Sequence, residues 1–210
     1  MKLYITRHGT TEWNIIRKLQ GSIDSSLTEE GVERAIKLGM RLKDIHFDII
    51  YSSPQYRALH TAKLIRGNKD TQINTHEGLK ELSFGTWEGM ELSQIEKNYP
   101  EEFFTYMNNP KDYVPIGGGE TFQELFIRVE SFLNEIVKLD VENILIVTHG
   151  VTIKALLAII KKLTVKEFAA LPVYTGTALN ICEVVDGNIK LCVEGDISHI
   201  DTEPFEESNM

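Results

Sequence analysis

Residues 2–14 read KLYITRHGTTEWN, and this stretch predicts a buried strand whose C-terminal end carries chemistry. The apolar run of residues 3–5 stops at Arg7, His8 and Gly9, which bring together a cation, an imidazole and a glycine. In open α/β sheets, ligands bind in the crevice beyond the carboxyl ends of the strands. Imidazole can act as a nucleophile or a base near neutral pH, and glycine allows a ligand to approach the backbone closely.

Strands and helices alternate along the rest of the chain. Apolar runs predict strands at 47–52 and 143–148, and a weaker strand at 73–79. The predicted helices span 28–43, 53–66, 121–138, 151–162 and 164–171. Because this alternation is typical of parallel strands covered on both faces, we predict a three-layer α/β/α fold around a mostly parallel sheet.

Short signals predict where several elements begin. Ser53 followed by Pro54 is typical of an N-cap and a first helical position, and Thr121 with Glu124 forms a capping box. The helix at 28–43 is expected to bury one apolar stripe, formed by Val32, Ala35, Ile36, Gly39 and Met40. Residues 14–26 show no clear period, so we predict a loop there.

The chain is predicted to form one domain, 1–210, with two local additions. Residues 81–119 contain two short amphipathic segments and a connector rich in Pro, Gly and Asn, which indicate a small helical cap insertion. The Asp-Gly pair at 186–187 predicts an antiparallel hairpin over 178–193, which could also pair with a second copy as a homodimer. The acidic residues 200–210 are expected to form a flexible tail.

Composition limits the partners and the compartment. The net charge is −9 and the pI is about 5.2, which argues against a nucleic-acid or membrane partner. The first residues lack a signal-peptide pattern and the longest apolar run is too short to span a bilayer, so we expect a cytoplasmic protein. Cys182 and Cys192 are expected to be free thiols, and no metal-ligand spacing occurs.

A second strand repeats the ending of the first. Residues 147–152, VTHGVT, resemble ITRHGTT at 5–11, so His149 follows its strand as His8 follows the first strand. If the two strands are neighbours in the sheet, both imidazoles face one crevice.

A set of charged and polar residues is predicted to gather at these strand ends. Its members are His8, His149, Arg7, Arg57, Asn14 and Glu81. Arginine forms bidentate, charge-assisted hydrogen bonds that match phosphate geometry, and a histidine can accept a phosphoryl group. A carboxylic acid over the site, for which Glu81 is the candidate, can protonate the leaving oxygen and later deprotonate the attacking water.

Five blocks of sequence, in this order, resemble the histidine phosphatase superfamily. They are RHGTTEWN (7–14), SSPQYRALHTA (52–62), LKELSFGTWEG (79–89), GGETF (118–122) and VTHG (147–150). The resemblance extends from residue 3 to about residue 193 and implies that family's α/β fold. A lone Arg-His-Gly would be weak evidence, whereas five blocks at matching spacing are specific.

The resemblance implies a role for each matching residue. In the family the histidine that matches His8 is phosphorylated, and the residues that match Arg7, Arg57 and His149 hold the phosphoryl group. The residue that matches Glu81 is the proton donor. The expected activity is therefore hydrolysis of small phosphomonoesters without a metal or another cofactor, with a small phosphorylated metabolite as the binding partner.

Two further positions belong to the predicted pocket by resemblance. Asn14 matches a phosphate-pocket position of the first motif, and Gln20 is similar to a residue seen in phosphatase members. Thr10 departs from the family, in which Glu or Gln is usual. Because Thr10 only flanks the nucleophile motif, we expect catalysis to be retained, while the departure leaves the local hydrogen bonding open.

The family contains a competing branch, the cofactor-dependent phosphoglycerate mutases. These carry an insertion with additional arginines and a lysine, whereas residues 91–109 here offer only Lys97 as a cation. The block LKELSFGTWEGMELSQI at 79–95 is more similar to broad-specificity phosphatases, α-ribazole phosphatases and fructose-bisphosphatase-type members. The mutase activity and α-ribazole-5′-phosphate as the particular substrate remain alternatives.

Two alternatives come from other functional classes. A binding or signalling module could keep the pocket without catalysis, although the intact His, Arg and Glu set disfavours it. A metallophosphatase could use His8, His149 and Glu81 as ligands, but the adjacent arginines disfavour a bound cation because like charges repel.

Overall fold

A computed structural model describes residues 1–200 of the chain. The strands in this range are β1 (Lys2–Arg7), β2 (Ile49–Ser52), β3 (Ile73–Thr75), β4 (Asn143–Thr148), β5 (Leu179–Val185) and β6 (Asn188–Asp196). The α-helices are α1 (Glu12–Ile15), α2 (Glu29–Arg41), α3 (Tyr56–Arg66), α4 (Leu92–Asn98), α5 (Pro100–Asn108), α6 (Phe122–Ile136), α7 (Gly150–Ile160) and α8 (Val165–Phe168). The tail expected at 200–210 lies, apart from its first residue, outside the described residues.

The six strands form one sheet in the order β3-β2-β4-β1-β5-β6. The pairs β1–β4, β4–β2 and β2–β3 are parallel, so the first four strands of the chain all run in one direction. β5 is antiparallel to both β1 and β6. β1 and β4, whose endings resemble each other, lie side by side with Arg7 opposite Thr148, so the condition for a shared crevice is met. The mostly parallel sheet with a C-terminal antiparallel hairpin is therefore confirmed.

Each face of the sheet packs against its own pair of helices. On one face Tyr4 of β1 joins a core with Leu38 of α2 and Ala58 of α3. On the other face the neighbouring β1 residues Leu3 and Ile5 join the core that contains α6 and α7. Successive strand side chains point to opposite faces, so this parity confirms the three-layer α/β/α arrangement.

The segment 81–119 holds α4, α5 and two 3₁₀ turns, and Trp87 lies at its centre. The Trp87 side chain is only 1% exposed. Its ring packs against those of Tyr99, Phe103, Tyr106 and Tyr113 at centroid separations of 5.6–6.4 Å. Most aromatic side chains of the cap therefore pack against one another.

Two short elements differ from their predictions. Residues 14–26 were expected to be a loop, but α1 occupies the start of this segment because Thr11 and Asn14 form a reciprocal capping box. The strand expected at 73–79 ends at Thr75, where a 3₁₀ turn at Glu77–Leu79 follows. Elements of three or four residues leave almost no period in the sequence, which explains both errors.

The predicted start of α3 at Ser53 was wrong. The Ser53 amide still donates to the Val147 carbonyl at 3.0 Å, so this residue belongs to the sheet edge, and the helix begins at Tyr56. The carboxylate of Asp24 accepts hydrogen bonds from the Tyr56 and Arg57 amides at 2.8 and 3.2 Å. A distant residue thus caps this helix, and no local signal could have predicted it.

The buried face of α2 also differs from the predicted stripe. Ile36 is 38% exposed and Met40 is 64% exposed, whereas Gly31, Ala35 and Leu38 are buried. A Cβ atom on Gly31 would lie 2.2 Å from the Thr10 carbonyl oxygen. The helix therefore turns its smallest residues toward the backbone that follows β1, and this rotation exposes the larger side chains.

The β5–β6 hairpin turns through Asp186 and Gly187, both of which have positive φ. Such a two-residue turn places Cys182 and Cys192 on opposite sides of the sheet. Cys182 is buried, Cys192 is exposed, and both are free thiols, as expected. No helix within residues 1–200 combines the length and apolar character that a transmembrane span requires.

Candidate active site

His8 and His149 meet where β1 and β4 end. The pairing of Arg7 with Thr148 makes the next residues, His8 and His149, neighbours across the two strands. Their ring centroids lie 5.2 Å apart, and the side chains are 3% and 0% exposed. The register of two parallel strands therefore creates the paired imidazoles.

The tautomer of His8 follows from its hydrogen bond. Its Nδ1 lies 2.8 Å from the Gly9 carbonyl oxygen, which can only accept, so Nδ1 carries the proton. Burial, reinforced by the guanidinium groups of Arg57 and Arg7, lowers the pKa of His8 well below its usual value. The ring is therefore neutral near pH 7, with the lone pair of Nε2 available as a nucleophile.

Both ring nitrogens of His149 are buried without a hydrogen-bond partner among the described residues. Burial and the nearby positive charge of Arg57 lower the pKa of His149 well below its usual value. Unpartnered buried polar atoms are rare in folded proteins, and they commonly mark a place where a ligand completes the hydrogen bonding.

Arg57 is held rigidly beside the histidines. It is 1% exposed, and its Nη1 donates to the Ile23 carbonyl and to Asp24 Oδ1, each at 2.8 Å. Its Nη2 donates to the Gly21 carbonyl at 2.9 Å. The loop at 21–24 thereby fixes the guanidinium group of Arg57. Asp24 both caps α3 and balances the positive charge of Arg57.

Arg7, Asn14 and Gln20 line the same cavity as His8 and Arg57. Arg7 Nη1 donates to the Tyr174 carbonyl at 2.9 Å, and Gln20 Nε2 donates to Thr11 Oγ1 at 2.8 Å. Asn14 Oδ1 accepts from the amide and hydroxyl of Thr11, so its Nδ2 is the group that can donate to a bound anion.

Glu81 also lines the cavity and lies at the N-terminus of α7. Its carboxylate accepts from the amides of Val151 and Thr152, both at 3.2 Å, and from its neighbour Leu82 at 2.9 Å. Glu81 thus caps a helix and also faces the cavity. Its own amide donates to Gln55 Oε1 at 2.8 Å.

Six of the seven predicted site residues line one cavity, and the seventh, His149, is fully buried against His8. Part of the cavity wall is formed by apolar and aromatic residues, namely Leu19, Phe84, Leu92, Tyr106, Val151 and Val173. Within residues 1–200 no cluster of three or more His, Cys, Asp or Glu side chains could hold a metal ion.

The sequence interpretation missed four residues of the site. Arg17 and Lys18 add two cations to the cavity wall, and the Arg-Lys pair beside the first motif was a signal that could have been used. Asp24 and Gln55 position other groups: Gln55 Nε2 donates to the Gly21 carbonyl, while its Oε1 accepts from the Glu81 amide. Gln55 lies within the block at 52–62, but the roles of both residues could not be predicted because their partners are distant in sequence.

An α/β sheet that presents a neutral imidazole and two guanidinium groups at adjoining strand ends is suited to phosphoryl transfer. Residues 3–196 match the family described as the histidine phosphatase superfamily (branch 1). The chain therefore belongs to the histidine phosphatase superfamily, and the resemblance of its five sequence blocks is confirmed.

Known proteins similar to this chain include two phosphatases. Phosphoserine phosphatase 1 of Hydrogenobacter thermophilus is 33% identical over 157 residues, which cover 74% of this chain and 74% of that protein. Adenosylcobalamin/alpha-ribazole phosphatase of Salmonella typhimurium is 31% identical over 186 residues, 87% of this chain and 92% of that protein. The solved structure of Bacillus stearothermophilus YhfR is 39% identical, has a TM-score of 0.90, and aligns over 94% of this chain and 98% of that chain.

Proposed function

We propose that this protein is a metal-independent phosphatase that hydrolyses small phosphomonoesters through a phosphohistidine on His8. The state of His8 carries the proposal, because its Nδ1 is occupied by the Gly9 carbonyl while Nε2 stays unprotonated beside two arginines. The family membership and the phosphatases among the relatives support a phosphomonoester hydrolase.

The first step transfers the phosphoryl group. Nε2 of His8 attacks phosphorus, the bond from phosphorus to the ester oxygen breaks, and Glu81 donates a proton to the leaving oxygen. Arg7 and Arg57 neutralise the charge on the equatorial oxygens, which is the main requirement of phosphoryl transfer. His149 supplies a further donor from its buried ring, since a bound dianion offsets the cost of charging it.

The second step regenerates the enzyme. Water attacks the phosphorus of the phosphohistidine, Glu81 accepts the proton of that water, and the bond from phosphorus to Nε2 of His8 breaks. Inorganic phosphate leaves, and both residues return to their starting states. The side chain of Glu81 can serve both steps because it faces the cavity from the N-terminus of α7.

The test combines three measurements on the full chain. His8→Ala is expected to abolish phosphate release from phosphoserine, phosphoglycerate and α-ribazole phosphate, whereas His46→Ala, which removes an 85% exposed histidine, should leave it unchanged. Quenching in alkaline detergent, in which phosphohistidine is stable, should trap 32P on the wild type and on His46→Ala but not on His8→Ala, and EDTA should have no effect. Turnover in the His8 variant, loss of activity in EDTA, or fast isomerisation of 3-phosphoglycerate without phosphate release would each contradict the proposal.

Glu81→Gln tests the proton donor separately. An alkyl phosphomonoester needs its leaving oxygen protonated, so kcat should fall about 10²- to 10⁴-fold. p-Nitrophenyl phosphate releases a stable anion, so phosphorylation of His8 by this substrate should be much less affected. Equal losses of the phosphorylation rate for the two substrates would remove Glu81 from the role of proton donor.

The compartment and the oligomeric state are part of the same proposal. Two free thiols are consistent with a reducing cytoplasm. β6 forms one edge of the sheet over Asn188–Asp196, so a second copy could pair with it to make a homodimer. Light scattering across a range of protein concentrations tests the dimer, and a monomer at every concentration would rule it out.

A further inference from the structure

Arg17 adopts a backbone conformation that L side chains rarely take. Its φ is 53°, in the left-handed region, directly after the end of α1. Glycine or asparagine is the usual residue at such a helix end, because a Cβ atom there is strained. An arginine that is kept in this conformation suggests that its side chain has a role.

The backbone around Arg17 is held in place by the cap. The Arg17 carbonyl accepts from the Leu92 amide at 3.1 Å, and the Leu19 amide donates to the Met90 carbonyl at 2.9 Å. These bonds fix the direction in which the side chains of residues 17–19 leave the backbone. Arg17 and Lys18 both line the cavity that contains His8.

The two cations lack acidic partners. Neither Arg17 nor Lys18 forms an ion pair within residues 1–200, although the whole chain carries a net charge of −9. The Lys18 ammonium instead lies 4.5 Å from the centroid of the Trp13 ring. Arg57, by contrast, is paired with Asp24. An acidic protein has thus concentrated two uncompensated positive charges at its cavity.

The phosphoryl group does not require these cations. Arg7 and Arg57 already face it, and His149 adds a donor, whereas Arg17 and Lys18 lie with Leu19 and Leu92 on the wall toward the cap. We propose that Arg17 and Lys18 bind a second anionic group of the substrate, a carboxylate on its organic part. This proposal rests on the phosphatase function and concerns the substrate of the same site.

A carboxylate is the group that fits best. The planar guanidinium of Arg17 can bind it through two parallel hydrogen bonds, and Lys18 adds a point charge. The preferred substrates are therefore small phosphomonoesters with a carboxylate in addition to the phosphate, and the apolar residues Leu19 and Leu92 lie beside its carbon skeleton.

The experiment compares 3-phosphoglycerate with glycerol 3-phosphate, which carries a hydroxymethyl group in place of the carboxylate. The wild type should prefer 3-phosphoglycerate in kcat/KM by about tenfold or more. Arg17→Gly should lower this preference to near unity, mostly through KM for 3-phosphoglycerate, without lowering the melting temperature, because glycine relieves the strained backbone. Arg17→Lys should keep part of the preference.

Lys162→Gly is the matched control. Lys162 is also an exposed cation with positive φ, 57°, and it does not line the cavity, so this variant changes net charge and backbone strain equally. It should keep the wild-type preference. An equal loss in Lys162→Gly, or an unchanged preference in Arg17→Gly, would overturn the proposal. p-Nitrophenyl phosphate, which carries no carboxylate, separates the carboxylate proposal from the phosphatase proposal. A wild type that hydrolyses none of the three esters would refute the phosphatase function itself.

Discussion

His8 and His149 are buried as neutral rings next to two guanidinium groups, and this state links the site to the stability of the protein. An unfolded chain exposes both histidines with pKa values of about 6.5. In the folded protein both pKa values are lowered, so below about pH 6.5 the unfolded state binds protons that the folded state does not. The burial of these two histidines beside the arginines therefore lowers the stability of the folded protein in acid.

We expect the free energy of unfolding to be fully retained above about pH 6.5 and to fall as the pH decreases below it. Each of the two rings contributes a slope of up to about 1.4 kcal/mol per pH unit. His199, whose pKa burial lowers to about 4, adds to this effect. Urea unfolding at several pH values measures the slope.

The control for that measurement is the double variant His8→Asn, His149→Asn. Its stability should depend less steeply on pH between about pH 6.5 and pH 5 than that of the wild type, because two of the groups that take up protons on unfolding are absent. Parallel curves for the two proteins would show that carboxylates, such as the paired Asp196, dominate the acid range instead.

Asp24 is expected to matter for activity although it does not line the cavity. Asp24→Asn removes the charge that pairs with Arg57 and weakens the cap of α3, so the guanidinium should lose its fixed position. A displacement near 1 Å can cost up to about 100-fold in kcat/KM. Steady-state kinetics measures the loss, and Asp44→Asn, an exposed position with the same charge change, is the control. Equal activity of both variants would contradict this role.

The residues that line the site and the residues that only position them differ in how far the sequence could predict them. His8 and His149 follow recognisable strands, so their proximity could be inferred from the rule that parallel strands share their carboxyl edge. Asp24 and Gln55 act through backbone groups that are distant in sequence, and only the folded chain brings these partners together. The strained backbone of Arg17 likewise has no sequence signature.

At the scale of elements, α2 makes a close backbone contact with the turn that follows β1, and glycine makes this contact possible. A Cβ on Gly9 would lie 2.5 Å from the Gly31 carbonyl oxygen, and a Cβ on Gly31 would lie 2.2 Å from that of Thr10. Gly9 is therefore needed for helix packing, beyond the ligand approach expected from the sequence. The helix holds the turn that follows His8 in place.

Gly31→Ala should force α2 away from this turn. We expect a loss of about 1–3 kcal/mol in the free energy of unfolding, typical of overpacking, together with reduced kcat. Chemical denaturation measures the first effect, and Glu33→Ala, at an exposed position of the same helix, should change stability little. An unchanged Gly31→Ala protein would show that the helix can shift without affecting the site.

Elements with strong local signals were predicted with accurate bounds. β4 is a continuous apolar strand, and α6 begins at the predicted capping box of Thr121 and Glu124. The start of α3 and the buried face of α2 were wrong because tertiary contacts decide them: Asp24 caps the first, and close backbone packing rotates the second.

At the scale of the whole molecule, the cap and the sheet share one hydrophobic core. Trp87 and Ile95 of the cap belong to the same cluster of buried side chains as Leu3 and Ile5 of β1. Because the cap and the three-layer body share this core, we expect them to unfold as one cooperative unit.

The variant Trp13→Phe allows a test of cooperative unfolding, since it leaves Trp87 as the single tryptophan of the chain. Urea unfolding curves from Trp87 fluorescence, which reports the cap, and from far-ultraviolet circular dichroism, which reports all helices, should coincide. A fluorescence transition at lower urea would show that the cap unfolds first. Trp87→Ala should cost about 3–5 kcal/mol in either case.

The strand order has a consequence for the way the protein is made. β1 is synthesised before the other strands of the sheet, but it lies between β4 and β5, which begin at Asn143 and Leu179. In a nascent chain, the strand that precedes His8 therefore has neither of its neighbours until residues 143–148 have been synthesised. Such non-local pairing is slow, so the candidate active site around His8 and His149 is completed late in biosynthesis.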